Sequence, residues 1–77
     1  MVKNAATVCS EIYDEVRKLA PHMQGQPLLV CASPAVAKAL AGEEVAILEA
    51  LSSLVGSDIR IKADAQLHQE QFDVVPV

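Results

Sequence analysis

Residues 27–42 read PLLVCASPAVAKALAG, a strand and a helix end to end with their boundaries marked by residue type. Leu28, Leu29, Val30 and Cys31 form an unbroken apolar run between Pro27 and Ser33, which is the composition of a strand covered on both faces. This is the expected central strand. Ser33 suits a helix N-cap, because its hydroxyl can accept a hydrogen bond from one of the amides left unpaired in the first turn. Pro34 suits the first helical position, where its missing amide would be unpaired in any residue, and Gly42 suits the left-handed residue after the last turn.

Toward the N-terminus, Val8, Ile12, Val16 and Leu19 recur at helical intervals with Cys9, Tyr13 and Ala20 beside them. Glu11, Asp14, Arg17 and Lys18 fall on the other side, so the segment is an amphipathic helix. Asn4 or Thr7 can cap its start, and Asp14 with Lys18 makes an acid-before-base pair four apart. Pro21 closes it, and Gly25 and Pro27 mark the loop PHMQGQP.

Toward the C-terminus, a third helical stretch is expected to start at Glu43 and Glu44, whose charges would complement the helix dipole. Ile47, Leu48, Leu51, Leu54 and Val55 line one stripe of it, and Gly56 ends it. In SDIRIKAD, Ile59, Ile61 and Ala63 alternate with Arg60 and Lys62, the period of a strand covered on one face. Residues 64–70 read as a polar connection and 71–76 as the last strand, with Pro76 at a strand end or sheet edge because it cannot donate to a ladder. The order α-β-α-α-β-β favours an α+β two-layer sandwich, with a small mixed three-stranded sheet and the helices mainly on one face. Strand order is left open.

With 77 residues the chain makes one small domain, and with one Phe, one Tyr and no Trp its core must be aliphatic. Such domains are marginally stable. The formal charge of −4 opposes the counterion-release term that drives non-specific nucleic-acid binding. No apolar run approaches a membrane span, and the first residues lack the regions of a signal peptide, so the chain reads as cytoplasmic with no membrane partner.

Candidate chemistry is sparse. Cys9 and Cys31 lack the paired spacing of a zinc site and read as two buried free thiols. Asp64, Glu70 and Asp73 are the nearest approach to a carboxylate cluster, and read more simply as solvated turn residues beside a strand. Neither His22 nor His68 has a metal-ligand spacing, no Gly-x-Ser-x-Gly elbow surrounds Ser33, and the glycines at 25, 42 and 56 stand apart at element ends. Ser52 and Ser53 read as a solvent-facing interruption of their helix. No catalytic or metal-binding residue is therefore assigned, and no cofactor. Arg60 and Lys62 project to one side of their strand and, with Lys38 and His68, are the candidates for contact with RNA phosphates. Exposed basic residues also protect a strand from unwanted pairing. The candidates for an assembly surface are Met23, Val75 and Val77, the last two alternating away from Phe72 and Val74.

Taken in order, VCASPAVAKALAGEE (30–44), LVGSDIRIKAD (54–64) and HQEQFDVV (68–75) resemble the C-terminal end of the ribonuclease E/G family of bacterial endoribonucleases. The opening VKNAATVCSEIYDEVRKL is similar to the segment that the family places after its catalytic domain. The resemblance implies a small C-terminal domain of an enzyme that cleaves single-stranded, often A/U-rich RNA and helps mature the 5′ end of the small-subunit ribosomal RNA. It implies that the magnesium-holding aspartates, the OB-fold module, the 5′-end sensor and a zinc-linking Cys-Pro-x-Cys-x-Gly-x-Gly motif all lie upstream. Cys9 and Cys31 do not match that motif. On this resemblance the partners are the catalytic domain of the same enzyme, further copies in a homo-oligomer, and RNA through the enzyme. The Met1, Val2 start reads as a cut at a domain boundary. Besides a packing role, the open alternatives are an RNA-binding accessory module and a free-standing ligand-binding protein.

Overall fold

The computed structural model describes residues 3–23 and 25–77. The Met1, Val2 start lies outside the described residues. The elements are α1 (Ala5–Leu19), β1 (Leu28–Ala32), α2 (Pro34–Ala41), α3 (Val45–Val55), β2 (Ile59–Ala63) and β3 (Phe72–Pro76), with one 3₁₀ turn at Ala20–His22. This is the expected α+β order. The sheet runs β2-β1-β3, with β1 parallel to β2 and antiparallel to β3. A parallel pair needs a long crossover, which α2 and α3 supply between β1 and β2. Pro76 ends an edge strand, where a missing amide leaves no partner unmet.

Local chemistry sets the helix starts. The Asn4 side chain accepts from the Thr7 amide at 2.8 Å, and the Ser33 hydroxyl accepts from the Val36 amide at 3.4 Å with Pro34 at the head of α2. Gly56 ends α3 with φ 73°, a conformation that side chains with a Cβ rarely adopt. Three expectations differ. Gly42 has φ −134°, because the Gly42 and Glu44 amides both turn back to the Ala39 carbonyl, at 3.1 and 2.7 Å, and close the chain without a left-handed residue. That turn also holds Glu43 and Glu44 ahead of α3, so neither lies in its first turn. The Asp14 and Lys18 side chains do not close an ion pair; among the described residues the one ion pair joins Lys3 to Glu11, and this hydrogen-bonded contact raises the Lys3 pKa.

All three helices lie on one face of the sheet. Val8, Cys9, Ile12 and Val16 of α1, Val36 and Leu40 of α2, and Leu51 and Val55 of α3 meet Leu28, Val30 and Ala32 of β1 in one core. Ile59, Ile61, Phe72 and Val74 of the two edge strands pack around it, half-buried. Burial of aliphatic area at about 25 cal/mol per Å² is the main stabilising term, and almost all of it comes from this single layer contact. The central strand is not covered on both faces. Leu29 and Cys31 are half-buried on the far side, screened by the neighbouring strands rather than by a second layer. A central strand gains that screening from its position alone, which is why its run is as apolar as that of a doubly covered strand.

Candidate interaction face

The pairing register determines what the uncovered face presents. Arg60, Leu29 and Val75 lie side by side in one cross-strand row, and Lys62, Cys31 and Asp73 in the next. Beyond the strand ends, the Leu28 amide donates to the Asp58 carbonyl at 3.1 Å and the Val77 amide to the Pro27 carbonyl at 3.0 Å, adding Asp58, Pro27 and Val77 to this face. A shallow hollow of about 270 Å³ is lined there by Pro27, Asp58, Arg60 and Val77. The face is therefore apolar along β1 and at Val75 and Val77, basic at Arg60 and Lys62, and acidic at Asp73 and Asp58. Val75 and Val77, at 41% and 57% exposed, are two of the three large apolar side chains classed as exposed among the described residues.

The residues singled out from sequence divide between the two sides. Arg60 and Lys62 are neighbours on the open face, while Lys38 is exposed on α2 in the helical layer and His68 sits in the connection between β2 and β3. Met23 packs against the core, unlike Val75 and Val77. Leu29 and Cys31 do not stand out in the sequence as surface residues; the period-2 alternation with Leu28, Val30 and Ala32 is the available signal, masked by five apolar residues in a row.

The connection between β2 and β3 is held by two of its own side chains. The Asp64 carboxylate accepts from the Gln66 amide at 2.9 Å, an Asx turn, and the Gln71 side chain accepts from the His68 amide at 2.9 Å. Asp73 lies on the open face, away from that turn. No group of three His, Cys, Asp or Glu side chains able to hold a metal ion occurs among the described residues. The cysteines are equally separated by the sheet. Cys9 is fully buried in the helical layer as expected, 4.0 Å from the Val36 carbonyl, but Cys31 is only half-buried, because its position in β1 places it on the uncovered face. Burial, with a contribution from the Glu44 charge, pushes the Cys9 thiol pKa upward. These residues do not fit a zinc or magnesium site. A second hollow of about 380 Å³ lies between α1 and α3, lined by Ser10, Tyr13, Asp14, Ala46, Ile47 and Ala50. No helix among the described residues is long and apolar enough to cross a membrane.

The arrangement defines a small α+β module, with Asn4, Ser33 and Asp64 used in caps and turns and one sheet face left open. No protein-family model matches the chain. Its sequence matches ribonuclease G from Salmonella typhimurium and from Escherichia coli strain K12, each 42% identical over 74 residues, and ribonuclease G from Haemophilus influenzae, 36% identical over 75 residues. Each match covers 96% of this chain and 15% of the relative. Along nearly its whole length the chain is thus related to ribonuclease G, through a segment that makes up a small part of those proteins.

Proposed function

We propose that the chain is a non-catalytic packing and assembly domain of a ribonuclease G-like endoribonuclease, placed after the catalytic domain. The observation that carries this reading is the open sheet face, with Leu29, Cys31 and Val75 across its middle, in a chain related to a segment of a larger ribonuclease. A sheet with one bare, partly apolar face is suited to lie against other protein. In this reading RNA processing, including maturation of the small-subunit ribosomal RNA, is the work of the rest of the enzyme in the cytoplasm. Magnesium is held there too, and zinc upstream of this segment. The domain docks on the catalytic part and helps hold copies together.

The 77-residue chain should leave single-stranded, 5′-monophosphorylated RNA intact with or without magnesium. Cleavage at catalytic concentrations of the purified chain, lost together with its folding, would refute the non-catalytic role. A second reading has one specific observation in its favour: Arg60 and Lys62 stand together on the open face, as phosphate contacts of an accessory RNA module would. Titration with the same RNA, followed by amide shifts, separates the two. Salt-sensitive shifts centred on residues 60–62 favour RNA contact.

A further inference from the structure

The two edges of the sheet are not equivalent, because the hydrogen-bond phase of each ladder decides which backbone groups point outward. In the parallel pair, the Leu28 amide donates to the Asp58 carbonyl at 3.1 Å and the Asp64 amide to the Ala32 carbonyl at 2.8 Å. With Leu28 level with Ile59 and Ala32 level with Ala63, these bonds turn the backbone groups of Asp58, Arg60, Lys62 and Asp64 toward β1. The amides and carbonyls of Ile59, Ile61 and Ala63 therefore face away from the sheet, and no hydrogen bond from another described residue reaches them. On the opposite edge, the Val77 amide on the Pro27 carbonyl fixes the phase that turns out the backbone of Phe72, Val74 and Pro76, and Pro76 has no amide to offer. Only β2 presents a full set of donors and acceptors.

Side chains define the strand that fits there. On the open face β2 presents Arg60 and Lys62, with Asp58 before them; Asp64 follows, its carboxylate accepting from the Gln66 amide at 2.9 Å. On the side where α2 and α3 pack it presents Ile59 and Ile61, both half-buried. A neighbouring strand sets its side chains level with those of β2 on the same two faces. Acids at two alternate positions would stand beside Arg60 and Lys62, and apolar residues around them would meet Ile59, Ile61 and Ala63. A third acid at either end would meet Asp58 or Asp64, so the fitting pattern is a pair.

We propose that the outer edge of β2 receives an extended segment of a partner protein as a fourth strand, a segment with two acidic residues two positions apart among β-branched apolar ones. The bases that guard this edge act by charge. A second β2 would set Arg60 and Lys62 against their own kind, and a basic strand would do the same, whereas an acidic strand gains two cross-strand pairs. The edge is thus closed to its own copy and open to one chemistry. RNA phosphates would use the two bases and leave the amides and carbonyls of Ile59, Ile61 and Ala63 unpaired, on a chain that carries −4.

The test uses the 77-residue chain and the end-blocked peptide Thr-Val-Glu-Val-Glu-Val-Thr, whose threonines would face Asp58 and Asp64. Two control peptides carry lysines in place of the glutamates, or proline in place of the central valine. The glutamate peptide should shift the amides of Ile59, Ile61 and Ala63 and slow their hydrogen exchange about tenfold or more at saturation, and neither control should. The double variant Arg60→Glu, Lys62→Glu, checked for folding by circular dichroism, should bind the lysine peptide at least about tenfold more tightly than the glutamate one. Silence up to millimolar peptide, equal binding of the two charge forms, or binding of the proline form would overturn the proposal. Shifts confined to Leu29, Cys31 and Val75 would overturn it in favour of a partner seated on the open face. Failure of the peptide together with salt-sensitive RNA shifts at residues 60–62 would overturn it in favour of RNA. None of these outcomes bears on whether the chain cleaves RNA, so the non-catalytic reading stands or falls separately.

Discussion

Val30 and Leu29 are adjacent in the chain, similar in hydrophobicity and equally central in the sheet, yet only one of them belongs to the core. Val30 is fully buried beneath the helices, and Leu29 is half-buried on the bare face. The same contrast holds between Val74, packed against the core, and Val75, 41% exposed. One face of the sheet holds the fold and the other is left uncovered. A domain this small has a single layer contact to stabilise it, so substitutions on the two faces should separate cleanly into large and small effects on folding.

The largest effect is expected at Ile12, the bulkiest fully buried group of α1. Ile12→Ala should cost about 3 kcal/mol by urea denaturation, from lost burial plus the cavity left behind. In a domain with only about 3–5 kcal/mol to spare, that leaves a large unfolded fraction at 37 °C. Val30→Ala should cost about 2 kcal/mol, whereas Val75→Thr on the opposite face should change the unfolding free energy by no more than about 0.5 kcal/mol. Equal costs at Val30 and Val75 would break the comparison between faces.

Ser33→Ala should cost about 1 kcal/mol, since it removes the cap at the head of α2; a loss within error would mean that Pro34 alone sets the helix start. The smallest effect concerns pH. The Cys9 thiol is held neutral in the folded protein, so the unfolded chain loses its proton first as pH rises. The contribution is fully present below the ordinary thiol value of 9.0 and fades above it, toward the raised folded value. Stability should therefore fall at alkaline pH with a shallower slope in Cys9→Ala, measured by denaturation at pH 7 and pH 10.

Much of the fold was legible because end signals and periodicity agreed. Ser33, Pro34 and Gly56 marked helix ends, and IRIKA and FDVVP alternated visibly. What was not legible came from contacts distant in sequence. The Ala39 carbonyl gathers two amides and relieves Gly42 of a left-handed conformation, which no residue type announces. The unbroken run at β1 concealed that Leu29 and Cys31 face outward, because a central strand looks alike whether a second layer or merely two neighbouring strands flank it. For the candidate face, Arg60, Lys62, Val75 and Val77 could be picked out one by one. Their assembly into rows with Leu29, Cys31 and Asp73 depends on strand order and register, which composition does not encode.

The most direct test of the division between faces is the rate at which the two thiols react with a small maleimide. Cys31 should label promptly in the folded chain. Cys9 should label only as fast as the chain opens, at every concentration. Equal protection of both cysteines in dilute solution, or prompt labelling of Cys9 in the folded chain, would contradict a sheet whose one face is sealed by helices and whose other is free.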